Sequence, residues 1–179
     1  MRSWGRRELR NILIGVCAVA AASYALLKIS EVARARSKQG TSYVAYNYNA
    51  RAIAGVWING EGGILNVSAY GGGGKEVCCV VLPSYWRSGL KATIRWEEDG
   101  DWLTDDQGQI VYREGRRVYV PRPSKERTVE VPPYIGGEGM DMGRFHIFFF
   151  PNDEVKVLVN RWGAGHSTSY PGPRDPRKE

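Results

Sequence analysis

Hydrophobic and polar positions follow two different patterns along the chain and divide it near residue 40. Residues 12–27 form an uninterrupted apolar run, "ILIGVCAVAAASYALL". A helix that is apolar all round, without a polar stripe, is typical of a membrane segment and not of a soluble surface helix. From Thr41 onward, short β-type runs are separated by glycine and proline, and this pattern predicts strands.

The β-rich part contains the patterns expected of an antiparallel sheet. In "LKATIRWE", residues 90–97, every second residue is apolar, which predicts a strand with one buried face. "RFHIFFF" (144–150) and "EVKVLV" (154–159) flank Pro151-Asn152-Asp153, and this arrangement predicts a hairpin. Strands are predicted at residues 42–48, 53–59, 77–82, 91–97, 117–120, 128–131, 144–150 and 154–160. The expected fold class is all-β, an antiparallel β-sandwich or partly open barrel, preceded by one N-terminal transmembrane helix.

These patterns predict five segments along the chain. They are a basic cytoplasmic end (1–11), a membrane anchor or signal helix (12–29), a linker (30–40), the β-rich domain (41–170) and a disordered tail (171–179). A helix over 12–29 would span about 27 Å, close to the minimum for a hydrocarbon core of about 30 Å. The side chains expected to lie in the bilayer are Ile12, Leu13, Ile14, Val16, Val19, Leu26 and Leu27.

A cleaved signal peptide and a lipoprotein signal are the alternatives to an uncleaved anchor. Small residues at 20–22 lie inside the apolar run instead of after it, and Val16 precedes Cys17 where a lipoprotein signal needs a small residue. Both features favour the anchor. Arg6-Arg7 is only a weak twin-arginine signal. Because basic residues before the helix favour a cytoplasmic N-terminus, the expected location is the inner membrane, with the C-terminal domain facing the periplasm.

The net charge of +6 belongs entirely to the N-terminal segment. Residues 1–40 hold eight lysines and arginines against two acids, and the rest of the chain holds seventeen basic and seventeen acidic residues. A domain without net positive charge lacks the field that draws nucleic-acid-binding proteins onto phosphates. The charge pattern therefore argues against nucleic acid as a partner.

Motifs that would carry a reaction are incomplete. The glycine run before Lys75 lacks the spacing of a phosphate-binding loop, because Ala69 and Glu76 occupy the positions that need glycine and serine or threonine. "GHSTS" (165–169) places His166 beside serines but lacks the second glycine of a nucleophile elbow. The acids at 97–101 and 105–106 lack the spacing of a calcium loop. No catalytic residue, metal ligand or cofactor is assigned, and the chain is not expected to be an enzyme.

Cys78 and Cys79 are adjacent within a predicted strand. Neighbouring strand residues point to opposite faces, which favours separate buried thiols. A disulfide between the two neighbours in an oxidising periplasm is an alternative, as is metal or redox chemistry with His146 or His166.

Five tryptophans fall in the predicted domain. Most are expected to fill the sandwich core, where each indole N–H needs a partner. Trp102 and Trp162, in predicted loops, are the candidates for anchoring a protein partner.

A longer pattern runs from Tyr46 to Glu97. Its most specific part, "GGG…CCV.LP..W..GL…RW", includes Gly72, Gly73, Gly74, Cys78, Cys79, Pro83, Trp86 and Trp96. The pattern resembles a proteobacterial envelope family catalogued as domain of unknown function 3304. The resemblance implies an exported β-rich protein, in many relatives a lipoprotein, whose motif residues serve the fold. It carries over no catalytic residue.

The same resemblance implies a function. Some members resemble proteins encoded beside type VI secretion phospholipase effectors. The leading hypothesis is a membrane-tethered periplasmic binding protein, acting as an immunity protein that binds and neutralises such a phospholipase. Its expected partners are the inner membrane and the secreted lipase. The alternative is a structural envelope protein without a toxin partner.

Overall fold

The computed structural model describes residues 6–63, 65–72 and 76–161, in two compact units, Met1–Ser37 and Lys38–Glu179. The first unit is helix α1 (Arg6–Arg36). Within it, Ile14–Arg34 is long and apolar enough to cross a membrane. Ile12 and Leu13 belong to the same helix, whose exposed apolar side chains include Ile14, Val16, Val19, Leu26 and Leu27. By length and composition, α1 is a membrane anchor or a signal sequence.

The second unit is built of short strands. They are β1 (Lys38–Asn47), β2 (Ile53–Ile58), β3 (Glu61–Gly63), β4 (Gly71–Gly72), β5 (Val77–Pro83), β6 (Lys91–Glu98), β7 (Asp101–Trp102), β8 (Tyr112–Arg113), β9 (Arg116–Arg117), β10 (Tyr119–Val120), β11 (Lys125–Glu130), β12 (Arg144–Phe150) and β13 (Glu154–Asn160). A 3₁₀ turn (Pro151–Asp153) joins β12 to β13.

Two main sheets are formed. The first has the order β13-β12-β1-β4, with β5 also paired to β1, and the second has the order β11-β6-β2-β3. All pairs among the described strands are antiparallel except β1 with β12, which are parallel. The predicted all-β, mainly antiparallel sandwich or open barrel is confirmed. The parallel pair is a departure that local alternation does not specify, because parallel partners are joined by long connections.

One core lies between the two sheets. Ala92, Ile94 and Trp96 line its second-sheet side, as the alternation of β6 predicts, and the Trp96 ring packs against Phe149 of β12 at 5.3 Å. Tyr43 of β1 crosses the core, since its hydroxyl donates to the Val56 carbonyl at 3.3 Å and accepts the Gly63 N–H at 3.0 Å. Burial raises the pKa of Tyr43, so the phenol stays protonated and able to donate.

Several boundaries of helices and strands in the structure differ from those predicted from the sequence. Helix α1 continues to Arg36, through much of the segment predicted as a linker, and β1 begins at Lys38, before the predicted start at Thr41. The hairpin strands β12 and β13 have the predicted limits. The run 117–120 is divided between β9 and β10, and the short strands β3, β4, β7 and β8 were not predicted. Such two- or three-residue strands depend on a distant partner and carry no periodic signal of their own.

The β unit has two distinct ends, connected by β1, which spans about 30 Å. At one end Lys38 pairs with Pro83; we call this the tether end, because the chain arrives there from α1. At the other, Asn47 pairs with Phe149 and donates from its side-chain amide to the Arg51 carbonyl at 2.7 Å. Residues 99–122, between β6 and β11, leave from this second end, which we call the arm end.

Candidate protein-binding surface

Residues 99–122 form an arm with its own small ladders. Strand β7 pairs with β10, Thr104 forms a bridge with Ile110, and β8 pairs with β9. The Leu103 N–H donates to the Val118 carbonyl, the Val118 N–H to the Val111 carbonyl and the Val111 N–H to the Leu103 carbonyl. The arm is therefore an ordered extension whose backbone groups are paired by its own strands.

Two tight turns shape the arm. Glu114 and Gly115 join β8 to β9 with φ of 52° and 76°, and positive φ at both central positions is typical of a type I′ hairpin turn. In the other turn, the Asp105 carboxylate accepts the backbone N–H groups of Gln107 and Gln109, each at 2.9 Å. The predicted turn acid Asp105 thus fixes the backbone of the arm.

One face of the arm carries an exposed aromatic cluster. Trp102 and Tyr119 are cross-strand partners whose ring centroids lie 5.7 Å apart with an edge-on angle of 72°. The Arg117 guanidinium lies 5.7 Å from the centre of the Trp102 ring, a cation–π distance. Trp102 is 47% exposed and Tyr119 44%. Large rings held in place but open to solvent are the residues that dominate protein interfaces.

The base of the arm is fastened by hydrogen bonds. The Tyr119 hydroxyl donates to Asp99 at 3.0 Å and accepts the Gly100 N–H at 2.6 Å. Asp101 accepts from Arg51 at 3.0 Å and from Arg122 at 2.6 Å. These hydrogen bonds, from Arg51 first and then Arg122, lower the pKa of Asp101. The aromatic cluster is preorganised, so a partner would not have to order these side chains on binding.

The arm tip is basic. Arg113, Arg116 and Arg117 lie within β8 and β9 beside a single acid, Glu114. None of the three arginines forms an ion pair with a side chain in the described parts of the chain. Exposed Tyr112 lies on the same hairpin. Arginine and aromatic side chains together are the composition enriched at protein interfaces.

Of the two tryptophans predicted to contact a partner, Trp102 lies in strand β7 instead of a loop, and Trp162 lies outside the described residues. Sequence reasoning missed Arg117, Tyr112 and Tyr119. The available signal was the Glu114-Gly115 turn between two short β-type runs. It predicts a hairpin, but it does not indicate that Trp102 is the cross-strand neighbour of Tyr119.

The described residues of the glycine, cysteine and tryptophan motif take part in the fold. Gly72 pairs with Tyr46, and a Cβ there would lie 2.5 Å from the Ala45 carbonyl. Pro83 accepts the Tyr134 hydroxyl at 2.5 Å, and the Trp86 indole donates to the Val131 carbonyl at 2.9 Å. Trp96 is fully buried. Gly73 and Gly74 lie outside the described residues.

The expectation that Cys78 and Cys79 are separate buried thiols is wrong. Cys78 and Cys79 are joined by a disulfide, both are exposed, and the peptide bond between them is cis. Thr41 pairs with Val80 and Tyr43 with Val77, so two residues of β5 lie opposite Ser42 alone. This is a β-bulge, in which side chains do not alternate as in a regular strand.

His146 lies inside the fold, and His166 lies outside the described residues. The His146 ring is 1% exposed and stacks on Tyr46 at 6.1 Å. Burial lowers the pKa of His146 to about 4, and neighbouring Asn160 opposes that shift without forming a hydrogen bond of normal geometry. The ring is therefore neutral at pH 7 and inaccessible to a substrate.

A groove of about 710 Å³ runs along the open side of the sandwich, between β11 and β13. Its walls include Trp86, Val129, Pro132 and Val157, with Ser88, Glu130 and Lys156 as the polar lining. No histidine or cysteine is among its described lining residues, and the described parts of the chain contain no group of three potential metal ligands. The groove is therefore lined mainly by apolar side chains, without the paired exposed rings found on the arm.

A family model described as "Protein of unknown function (DUF3304)" matches residues 46–157, more than half of the chain. This range includes the whole second sheet, the whole arm and strands β4, β5 and β12 of the first sheet, with only the end of β1 and the start of β13. No curated protein and no solved structure matches the chain significantly.

Proposed function

The chain belongs to the family of proteins of unknown function DUF3304, and on this premise we propose that it is a membrane-tethered binding protein whose arm contacts another protein. The observation that carries the proposal is the preorganised cluster of Trp102, Arg117 and Tyr119. Helix α1 supplies the tether. The protein acts by binding and not by catalysing a reaction.

The position of the arm supports this function. The arm leaves the β unit at the end opposite Lys38, where the chain arrives from α1. The arm and the junction with the helix therefore occupy different parts of the β unit. The exposed arginines at the tip add electrostatic attraction, which speeds association with a partner of opposite charge.

The specific partner that we propose is a type VI secreted phospholipase, met on the periplasmic side of the inner membrane. In this role the protein is an immunity protein, and the arm covers the lipase and blocks access of its substrate. The support is the family's motif pattern together with a surface suited to protein contact. The lipase surface that meets the arm carries carboxylates, because arginine binds carboxylates through paired hydrogen bonds.

Co-expression tests the proposal. Cells producing a periplasmic lipase encoded beside this chain are expected to survive when the full chain is present, and the two proteins are expected to co-purify. Trp102→Ala is expected to weaken binding by about 2 kcal/mol, roughly thirtyfold, because a central interface tryptophan is removed. Val81→Ala, at an exposed position of β5 opposite Gly40, is the control and should leave binding unchanged.

The outcomes separate the parts of the proposal. Co-purification with undiminished lipase activity would keep the binding function and reject immunity. Unchanged toxicity together with no co-purification would reject both, and would favour a structural envelope protein. Equal losses from Trp102→Ala and Val81→Ala would show that the arm is not the contact surface.

A further inference from the structure

The tether end exposes large apolar side chains on the loop between β11 and β12. Ile135 is 78% exposed, more than any other large hydrophobic side chain in the described parts of the chain. Met140 of the same loop is 42% exposed, and Tyr85, which follows β5, is 36% exposed. Single exposed hydrophobic residues are ordinary on a protein surface, but three on one surface indicate a contact.

Contacts of the loop backbone hold the loop beside Tyr85 and β1. Gly136, next to Ile135, lies against the residue before Tyr85, since a Cβ there would be 2.5 Å from the Ser84 carbonyl. The Glu138 N–H donates to the Tyr85 hydroxyl at 3.4 Å, which connects the loop to the end of β5. The Gln39 side-chain amide donates to the Met140 carbonyl at 2.9 Å. The loop is thereby fixed to the first residues of β1. Ile135, Met140 and Tyr85 form one surface, which we call the apolar tether surface.

Chain connectivity determines what lies near this surface. Gln39 follows Arg36, the last residue of α1, by three positions, and three residues span at most about 11 Å. The candidate membrane span within α1 ends at Arg34. The apolar tether surface is therefore attached within a few residues of the point where the helix leaves the bilayer. Such tethering makes even a weak contact with lipid populated.

We infer that Ile135, Met140 and Tyr85 insert into the lipid interface of the bilayer that holds α1. Isoleucine and methionine suit the boundary with the acyl chains, and tyrosine suits the headgroup level. The inference rests on the membrane tether of the proposed function and adds a second membrane contact to it. Charged side chains near this surface include Lys38, Arg87 and Arg161 against Glu138 and Asp141. The three side chains that insert are themselves uncharged, so their insertion depends on apolar contact.

The experiment uses the full chain reconstituted into vesicles of phosphatidylcholine, with or without brominated acyl chains. An environment-sensitive dye is attached to the cysteine of Ile135→Cys in a chain that also carries Cys17→Ser. Reductant is omitted so that the Cys78–Cys79 disulfide stays intact. Gln107→Cys on the arm, in the same background, is the matched control. In a separate sample, the dye is attached to Cys17 of the natural chain. This thiol lies within the candidate span, so its label reports on insertion of the helix.

The expected result is a blue shift of the dye at position 135 and loss of its fluorescence in brominated vesicles, with no change at position 107. Adding phosphatidylglycerol should leave the quenching at 135 unchanged. A Met140→Cys probe should behave like Ile135→Cys, which guards against a local effect of one substitution.

Other outcomes overturn the inference in different ways. Quenching at Cys17 with none at 135 rejects lipid contact by the loop while keeping the tether. A blue shift at 135 without bromine quenching identifies a protein neighbour, such as a second copy of the chain, and also rejects lipid contact. Absence of quenching at Cys17 rejects the membrane tether itself and the inference with it.

Discussion

The tether end and the arm end of the β unit both expose large apolar side chains, but of different chemistry. At the arm end the rings of Trp102 and Tyr119 contact each other, and Arg117 lies over the indole. At the tether end Ile135 and Met140 lie among glycines and prolines, with no exposed tryptophan among the described residues there. Aromatic and arginine side chains suit a specific protein contact, whereas aliphatic side chains suit lipid. Although the exposed fractions are similar, the two ends are suited to different kinds of contact.

Two glycine-to-alanine substitutions, one at each end of the β unit, should show the largest difference between the ends. Gly143 has φ of 85°, and a Cβ there would overlap the Asn160 carbonyl at the tether end. Gly143→Ala is expected to destabilise the fold by about 4 kcal/mol, the sum of backbone strain and steric overlap. A Cβ at Gly100 would overlap the Val120 carbonyl at the base of the arm. Gly100→Ala is expected to impair partner binding with a smaller loss of stability.

Urea denaturation of the full chain in detergent measures the stabilities, and co-purification with the proposed lipase partner measures binding. Gly63→Ala is the control, because a Cβ there meets no atom within 4 Å. It should change stability by less than about 0.5 kcal/mol. If Gly143→Ala matched this control, the close packing of Gly143 against Asn160 would not limit the size of the side chain at position 143.

Lowering the pH should reduce the free energy of unfolding, because His146 in the first sheet is buried in its neutral form. Its pKa is lowered to about 4 in the folded chain from an ordinary 6.5, so the unfolded chain binds the proton more readily. The stability that folding gains from keeping His146 neutral is fully present above about pH 6.5. It is lost as the pH falls towards 4, and the total loss in the free energy of unfolding is about 3 kcal/mol. Below pH 4 this histidine contributes no further loss.

Chemical denaturation at a series of pH values tests the prediction. His146→Phe keeps an aromatic ring in the stack with Tyr46 but cannot titrate. The variant should therefore lose less stability than the natural chain between pH 6.5 and 4. An equal loss in both proteins would assign the acid sensitivity to other groups, and Gln107→Ala on the arm provides a variant that should leave the pH dependence unaltered.

The smallest predicted effect concerns an ion pair that connects the two sheets at the arm end. Lys125 of β11 donates to Glu98 at 2.7 Å and to Asp153 at 2.8 Å. Burial opposes the charge of Lys125, but the hydrogen bonds with Asp153 and Glu98 raise its pKa overall. Lys125→Met is expected to cost about 1 kcal/mol, because Glu98 is left partly buried without its partner.

Lys156→Met is the matched control for Lys125→Met. Lys156 pairs with Glu154 of the same strand at 3.0 Å, and both side chains are about half exposed. Its removal should therefore have almost no effect on thermal unfolding. Equal effects of the two substitutions would mean that the pair between the sheets adds no more stability than a surface pair.

Local pattern was sufficient wherever one face of a strand is buried. The alternation in β6 placed Ala92, Ile94 and Trp96 in the core, and the hairpin of β12 and β13 has the predicted limits. It was insufficient for β7 and β10, which are two residues long and exist only because they pair with each other. The exposure of Trp102 depends on that pairing, so the candidate site was only partly predictable.

The sequence by itself determined the apolar helix, the core strands and the separation of charge from the β-rich part, because each is a property of neighbouring residues. The tertiary structure alone decided that Ser42 faces both Cys78 and Cys79, which puts two thiols expected to point apart on an exposed bulge. It also decided that Trp102 is the cross-strand neighbour of Tyr119, and that the arm and the chain's arrival from α1 lie at opposite ends of the β unit. These features depend on register between strands distant in sequence, and a local pattern carries no information about which distant strand will be the partner.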